Sequence, residues 1–279
     1  MIQPPHFKRI LGISFLVCSA GEAVGLVSRA GGLVVMPSAP ALKNLPYDPD
    51  YREALLEADF AIPDSSLMVI LWNLIQFDRI PKISGLKYLR ALISEQEFRR
   101  PGSSFWVMPT ACALERNQAW LGANGITLGS DEFYLAPMYG PAIEDAELLR
   151  RIEAHRPRHV VLGLGGGVQE RLGLYLKRNL SYRPAIHCIG AAIAFLSGDQ
   201  VRIPAWVDSL GLGWMWRIFS NPRAFAPRYW GARNLAPLLL RHRDRLPALA
   251  VVPISSRRVH LHAPVVPDTL SDAHDASEA

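Results

Sequence analysis

The feature that most constrains the fold is the segment from His159 to Glu170, with the sequence HVVLGLGGGVQE. An apolar run ends in a cluster of glycines, and a helical pattern begins at Val168. This order predicts a strand, a glycine turn and a helix. Such units form phosphate sites in α/β proteins, although αβ turns also need glycine for structural reasons alone. The glycine spacing matches neither the Walker A pattern nor G-x-G-x-x-G.

A second unit of the same kind follows directly. Residues 185–189 are predicted to form a strand that ends at Gly190, and residues 191–196 are predicted to begin another helix. Two neighbouring strands that both end at glycine indicate a nucleotide crevice at the carboxyl edge of a sheet.

Alternation of strands and helices through residues 1–200 predicts the fold class. We expect an α/β protein with a mainly parallel, Rossmann-like sheet that is covered by helices on both faces. The other predicted strands are 10–17, 32–36, 60–63, 104–108 and 126–128. The other predicted helices are 20–29, 48–59, 65–77, 84–98, 110–122 and 144–155. After Gly198 the alternation stops, and prolines are expected to interrupt short helices.

Composition excludes several classes of protein. The chain has 279 residues, 49% of them apolar, so it can bury a substantial core. Its three cysteines are far apart and form no C-x-x-C pair, which argues against a disulfide framework or a zinc site. No cleavable signal is apparent, and uncharged apolar runs such as 67–75 are too short to span a bilayer. We therefore expect a soluble or membrane-surface protein.

Positive charge is concentrated near the carboxyl end. Residues 221–258 include eight arginines and one acid, Asp244, whereas the whole chain has a net charge of +5. The preceding segment, 203–219, carries three tryptophans, follows Arg202 and contains Arg217 near its end. Tryptophan beside arginine is typical of a membrane interface, although tryptophans of the core would give the same pattern. Nothing else in the chain supports binding to nucleic acid.

Asp64 is the first candidate for chemistry. It follows the predicted strand 60–63, where open α/β sheets bind their ligands, although an aspartate here can also cap the next helix. Asp48 and Asp50 have the D-x-D spacing of a metal site. They also form a standard helix start around Pro49, which we favour. No other cluster of histidines and acids has metal-ligand spacing, so we expect no metal.

Three further residues lie near the predicted strand ends. Gln169 is placed to hydrogen-bond a nucleotide or a sugar, and Glu170 is a first-turn acid that suits the helix dipole. His187 lies within an apolar strand, which favours a packed histidine over a catalytic base.

The chain resembles the WecG/TagA/CpsF glycosyltransferases over roughly residues 10–229. The order and spacing of several motifs carry the resemblance, more than any one of them. They are V-x-x-P-x-A at 34–39, A-D-x-x-x-P-D at 58–64, S-G-x-x-x-L at 84–89, G-x-G-x-x-x-Q-E at 163–170, two glycines at 190 and 198, R-x-P-x-W at 202–206, W-x-x-R at 214–217, P-R at 222–223 and R-Y at 228–229.

The resemblance implies an activity and a location. The activity is inverting transfer of a sugar from a UDP-linked donor to a polyprenyl-diphosphate-linked acceptor, in surface polysaccharide synthesis and without a cofactor or metal. The location is the cytoplasmic face of the cell membrane, in contact with anionic lipid, and a homo-oligomer is compatible with it.

The resemblance also assigns site residues, with Asp64 as the catalytic base. The nucleotide-sugar site is assigned to Ser38, Lys82, Gly163, Gly165, Gly166, Gln169 and Gly190. The site for the acceptor diphosphate and the membrane is assigned to Arg202, Arg217, Arg223 and Arg228. The expected division is a catalytic domain at 1–200, a basic, tryptophan-rich appendage at 201–262 and a disordered tail at 263–279.

The chain departs from the family pattern at Met36, Ser38, Ser65, Lys82 and Ala194. Because these positions surround the expected sugar pocket, the donor sugar stays open. The alternative is a non-catalytic protein that binds a nucleotide-sugar or acts as a scaffold in a polysaccharide-synthesis complex. A Rossmann-type dehydrogenase is disfavoured, because the region after the first predicted strand lacks the glycine fingerprint.

Overall fold

The computed structural model describes residues 5–198, 207, 213–220 and 222–250, and contains an eight-stranded sheet. The strands are β1 (His6–Ile10), β2 (Ile13–Val17), β3 (Gly32–Val35), β4 (Phe60–Ala61), β5 (Ser104–Met108), β6 (Phe133–Leu135), β7 (His159–Leu162) and β8 (Ala185–Cys188). Their spatial order is β1-β2-β4-β3-β8-β7-β5-β6. Every neighbouring pair is parallel except β1 with β2, so the predicted fold class is confirmed.

Helices connect and cover the strands. They are α1 (Ala20–Ala30), α2 (Ala39–Leu42), α3 (Pro49–Leu56), α4 (Ser66–Gln76), α5 (Gly85–Ser94), α6 (Ala111–Ala123), α7 (Ala146–His155), α8 (Val168–Asn179), α9 (Ala194–Ser197), α10 (Gly213–Ser220), α11 (Pro222–Ala232) and α12 (Leu235–His242). Short 3-10 turns occupy Ser130–Glu132 and Gly190–Ala192. Many helix starts follow the sequence closely. At α3, for example, the Asp48 side chain accepts a hydrogen bond from the Tyr51 N–H at 2.9 Å.

The sheet is buried on both faces, which explains its apolar strands. Along β7, Val160 and Leu162 belong to one core cluster, whereas Val161 belongs to the other. The first core packs against α2, α3, α4, α7, α8 and α12, and the second packs against α1, α5 and α6. Successive side chains of a strand point to opposite faces, and both faces are buried here. Every position of the strand is therefore apolar, as is usual in parallel sheets.

The predicted strand 10–17 is wrong in extent, because a hairpin replaces it. Leu11 and Gly12 have φ angles of 50° and 80°, and positive φ at two successive residues is the geometry of a tight hairpin turn. β1 therefore pairs antiparallel with β2, from His6 opposite Val17 to Ile10 opposite Ile13. The continuous apolar pattern concealed the turn, because Leu11 is itself fully buried.

The predicted strand 126–128 is also wrong. These residues have no regular structure, and the strand lies further along, at β6, where Phe133 pairs with Trp106 of β5. Ile126 is only 2% exposed and packs in the second core. Its apolar character therefore reflects packing against a helix layer and not strand pairing.

The carboxyl-terminal helices pack on the α/β unit. α11 contacts α2, and α12 contacts both α2 and α4. Leu235 and Leu239 of α12 are buried in the first core. Pro227 lies inside α11 and does not end it, contrary to the expectation for this proline. None of the described helices is long and apolar enough to cross a bilayer.

Asp59 ties together the start of β3 and two more distant segments. Its carboxylate accepts a hydrogen bond from the Leu33 N–H at 2.8 Å and forms ion pairs with Lys177 at 2.9 Å and Arg183 at 2.6 Å. Burial raises the pKa of this carboxyl, but the hydrogen bonds from Lys177 and Leu33 and the two positive charges outweigh burial and hold the pKa below its usual value.

We predict that Asp59→Asn lowers the free energy of unfolding by about 1–3 kcal/mol at neutral pH, because it weakens charged hydrogen bonds in a mostly buried place. Since the folded pKa lies below the unfolded value of about 4, the stabilisation is complete above that pH and is lost as the pH falls through the folded pKa. Urea unfolding at several pH values measures this. Asp131→Asn, at an exposed pair with His155, is the control and should have little effect. An equal loss in both variants would contradict the prediction.

Candidate active site

Four neighbouring strands end at the same level of the sheet. Val35 of β3 lies opposite Ala61 of β4 and Cys188 of β8, and Cys188 lies opposite Leu162 of β7. Because these strands are parallel, the loops that follow them emerge together at the carboxyl edge. The loops after β3, β4, β7 and β8 carry Ser38, Asp64, the glycine cluster and Gly190, respectively. The structure thus brings together the residues that the sequence predicts for one site.

Asp64 does not cap the helix that follows it. That role belongs to Ser65, whose hydroxyl accepts a hydrogen bond from the Met68 N–H at 3.2 Å. The alternative assignment of Asp64 as the cap of α4 is therefore wrong. Asp64 Oδ1 instead accepts a hydrogen bond at 3.0 Å from the N–H of Gly85, the first residue of α5. The side chain is half-buried, and the positive end of a helix dipole stabilises its charge.

Gly85 is a site residue whose role the sequence did not reveal. A Cβ atom at this position would lie 3.3 Å from the Ile189 carbonyl oxygen and 3.8 Å from Met36 Sδ. The absence of a side chain therefore lets the start of α5 lie against the end of β8. The S-G dipeptide at 84–85 marks a helix start, but only the fold shows that its N–H faces Asp64.

Lys82 lies on the segment that leads into this helix. The N–H of the next residue, Ile83, donates a hydrogen bond to the Pro63 carbonyl at 3.1 Å. This bond holds the backbone at Lys82 beside the loop that carries Asp64. Lys82 is half-buried, and its predicted contact with the donor stays a prediction.

The glycine cluster forms an open turn between β7 and α8. A Cβ atom on Gly165 would meet no heavy atom within 4 Å, whereas one on Gly166 would lie 4.0 Å from Ser38 Oγ. Gly163 is the closest-packed of the three predicted glycines, with the Val107 carbonyl 3.4 Å from its Cβ position. Gly167 precedes α8 and has a φ of 93°, a backbone conformation that residues other than glycine rarely adopt. The turn therefore presents an open backbone surface beside Ser38.

Gln169 links the two glycine turns. Its Oε1 atom accepts a hydrogen bond from the Gly190 N–H at 2.7 Å, and its Nε2 atom donates to Glu170 Oε1 at 3.1 Å. The residue is 3% exposed, so in this structure its amide holds the ends of β7 and β8 together. Its contact with a nucleotide or a sugar stays a prediction.

Glu170 acts at the start of α8, as the sequence predicts. Its Oε2 atom accepts a hydrogen bond from the Gly167 N–H at 2.6 Å. The side chain is only 1% exposed, and burial raises the pKa of this carboxyl despite the hydrogen bonds from Gln169 and Gly167. Glu170 thus stabilises the turn between β7 and α8 from a buried position.

His187 is a packed histidine, which confirms the prediction. Its Nδ1 atom is 3.0 Å from the Tyr88 hydroxyl, and its Nε2 atom is 3.1 Å from His159 Nδ1. Burial lowers the pKa of both histidines, to about 4 for His159. Both rings are therefore neutral at pH 7, and they connect α5 to the sheet beneath the site.

The arginines predicted for the acceptor site lie toward the carboxyl end of the chain. Arg223 is an exposed residue of α11. Arg202 lies outside the described residues, as do the side chains of Arg217 in α10 and Arg228 in α11. Ala194 is 6% exposed at the start of α9. Among the residues that the structure describes, no three or more histidines, cysteines or acids are grouped as a metal would require.

The sheet is mostly parallel, and the edge at which its strands end carries open glycine turns and the Asp64 carboxylate, which is hydrogen-bonded to Gly85. These features place the chain among the Rossmann-like α/β proteins. Comparison with known proteins identifies the group. The chain belongs to the glycosyl transferase WecG/TagA/CpsF family, whose model matches residues 8–248, and it is a glycosyltransferase.

A curated relative gives a more specific comparison. The chain is 24% identical over 204 residues to an N-acetylglucosaminyldiphosphoundecaprenol N-acetyl-beta-D-mannosaminyltransferase of Bacillus spizizenii. The similarity covers 72% of this chain and 76% of the relative.

We predict that two neighbouring glycines differ in their tolerance of a side chain. Gly167→Ala should lower the free energy of unfolding by about 1–3 kcal/mol, because alanine strains a backbone with positive φ. Gly165→Ala should leave stability nearly unchanged, since its Cβ atom meets open space. Urea unfolding of the two variants measures the difference. Equal losses of stability would show that the turn is not arranged as described.

Proposed function

We propose that this glycosyltransferase moves a sugar from a UDP-linked donor to a polyprenyl-diphosphate-linked acceptor, with inversion at the anomeric carbon. Membership of the family and the name of the Bacillus spizizenii relative, whose acceptor is a diphosphoundecaprenol-linked sugar, support this proposal. The observation that carries it is the position of Asp64: a half-buried carboxylate at the end of β4, held by the start of α5 and not used as the cap of α4.

Asp64 is the proposed general base. A hydroxyl oxygen of the acceptor attacks the anomeric carbon of the donor while Asp64 takes the hydroxyl proton. The bond from the anomeric carbon to the diphosphate oxygen breaks, and UDP leaves with the electron pair. Because attack and departure occur on opposite faces of the carbon, the configuration inverts. The hydrogen bond from Gly85 fixes the orientation of the carboxylate, which a positioned base requires.

The glycine turns after β7 and β8 are the proposed donor site. Open backbone at Gly165 and Gly166 permits close approach of a diphosphate to the turn that precedes α8. Ser38 lies beside Gly166, and Gln169 holds Gly190 in place. Gly163 packs beneath the turn, and Lys82 supplies positive charge near the loop that carries Asp64.

The basic carboxyl-terminal segment is the proposed acceptor side of the enzyme, on the cytoplasmic face of the membrane. Arg202, Arg217, Arg223 and Arg228 are proposed to meet the acceptor diphosphate and anionic lipid. Burial of Leu235 and Leu239 in the first core has a practical consequence. Truncation within this segment would uncover the core, so side-chain replacement is the appropriate test of its role.

We predict that Asp64→Asn lowers turnover by about 100- to 10,000-fold, the usual contribution of a general base. The asparagine oxygen can still accept the hydrogen bond from Gly85, so the loop should stay in place and affinity for the UDP-sugar should change little. Release of UDP in the presence of a lipid-linked acceptor measures turnover, and calorimetry measures donor affinity. Asp131→Asn serves as the surface control.

Near-normal turnover of Asp64→Asn would remove Asp64 from the role of base. Donor binding by the wild-type protein, without turnover on any acceptor of a panel, would instead support the non-catalytic alternative.

We predict that activity does not require a divalent metal. The proposed charge partners of the leaving diphosphate are the backbone N–H groups of Gly165 and Gly166 and basic side chains, and Asp48 of the D-x-D sequence serves as a helix cap. Transfer by the wild-type protein should therefore continue in excess EDTA at an unchanged rate. Loss of transfer in EDTA, followed by recovery on addition of magnesium or manganese, would contradict the metal-independent mechanism.

A further inference from the structure

Helix α4 exposes an apolar stripe that the folded core does not use. Ile70, Leu74 and Phe77 are 52%, 67% and 95% exposed. Their spacing of four and three residues places them on one side of the helix. Met68, Val69 and Trp72, on the other side, are buried in the first core. No charged residue occurs from Ser65 to Phe77, so α4 is apolar toward both the core and the solvent.

The end of this stripe, Phe77, projects into solvent next to a residue that is anchored to the fold. Phe77 ends α4 with a φ of 52°, a left-handed conformation that costs a bulky residue free energy. The next residue anchors the turn, because Asp78 accepts a hydrogen bond from Trp72 Nε1 at 3.2 Å and pairs with Lys8 at 2.5 Å. The fold therefore displays the Phe77 ring and does not bury it, which suggests a use outside the monomer.

Positive charge lies at the end of a helix that contacts α4. α12 contacts α4 and exposes Leu240. Three exposed arginines follow, Arg241, Arg243 and Arg245, and Asp244 is the only acid in residues 235–245. The Arg243 and Asp244 carbonyls accept hydrogen bonds from the Leu11 and Gly12 N–H groups, so this end of α12 is fixed to the sheet. Exposed apolar side chains beside arginines are suited to the interface of an anionic bilayer.

The stripe begins close to the proposed base. Ser66 follows Asp64 by two residues, and at about 1.5 Å per residue Ile70 lies about 6 Å further along the helix axis. In the acceptor of the Bacillus spizizenii relative, only a diphosphate separates the sugar from the undecaprenyl chain. An enzyme that acts on such a sugar must hold its base near the bilayer surface. This step rests on the proposed function.

We propose that the exposed stripe of α4 and the arginines at the end of α12 form a docking surface for an anionic lipid bilayer. The apolar side chains enter the headgroup region, and the arginines contact lipid phosphates. The described part of α4 is 11 residues long, so it lies on the bilayer and does not cross it.

Sedimentation with vesicles of phosphatidylglycerol and phosphatidylcholine tests the surface, with the full-length protein and with neither donor nor acceptor present. The double variant Leu74→Gln/Phe77→Asn should bind vesicles at least about tenfold more weakly than the wild type, because apolar burial in the bilayer is lost. Asparagine suits the left-handed conformation at position 77. Leu56→Gln is the matched control on α3, where Leu56 is 43% exposed, and should bind like the wild type.

A triple variant separates charge from apolar contact. Arg241→Gln/Arg243→Gln/Arg245→Gln should lose affinity for phosphatidylglycerol vesicles and much of the salt dependence of binding, and should bind pure phosphatidylcholine vesicles as the wild type does. Equal melting temperatures of all variants would exclude unfolding as the cause. In transfer assays, the α4 variant should lose activity on an acceptor embedded in vesicles and keep activity on a water-soluble, short-chain acceptor.

Wild-type binding of vesicles by the α4 variant would overturn the proposal. The proposal would also be overturned if the wild-type protein did not bind vesicles but formed a dimer that the Leu74→Gln substitution dissociates. The stripe would then be an interface between two copies of the chain. Because vesicle binding needs no substrate, failure of all transfer assays would reject the proposed function and leave the result on lipid docking intact.

Discussion

Parallel pairing of β3, β4, β7 and β8 is the constraint on which the rest of the structure depends. It directs four loops to one edge of the sheet, and it requires helices on both faces because both faces are apolar. Two hydrogen bonds then join loops that are distant in sequence: Gly85 to Asp64 and Gly190 to Gln169. These contacts hold the carboxylate and the glycine turns at the same edge of the sheet.

Local signals made much of the fold predictable, and they failed where burial imitated pairing. The glycine cluster after β7 and the helix start at Asp48 were identifiable because glycine, proline and capping residues act over a few positions. Ile126 was mistaken for a strand residue because a buried loop residue is as apolar as a paired one. The turn at Leu11 and Gly12 was missed because Leu11 is buried as deeply as the strands around it.

The positions of Asp64 and Gln169 in the candidate site were predictable, but their contacts were not. The sequence placed Asp64 at a strand end and Gln169 at a helix start, since both follow apolar runs. It did not show that Gly85 orients one, or that Gly190 engages the other, because each partner lies 21 residues away and meets it only after the sheet forms. The inward role of Gln169 depends on the neighbouring strand, which no local pattern encodes.

The burial of α12 has a consequence for the choice of acceptor. Leu235 and Leu239 anchor this helix in the core that also supports α4, so the packing of α12 fixes the basic residues at its end relative to Asp64. On a bilayer, the proposed base would then sit at one fixed height. A lipid-linked saccharide with its reactive hydroxyl one sugar further from the membrane would overshoot that height. The rigid fold would therefore act as a ruler, and it would select acceptors by their length as well as by their contacts.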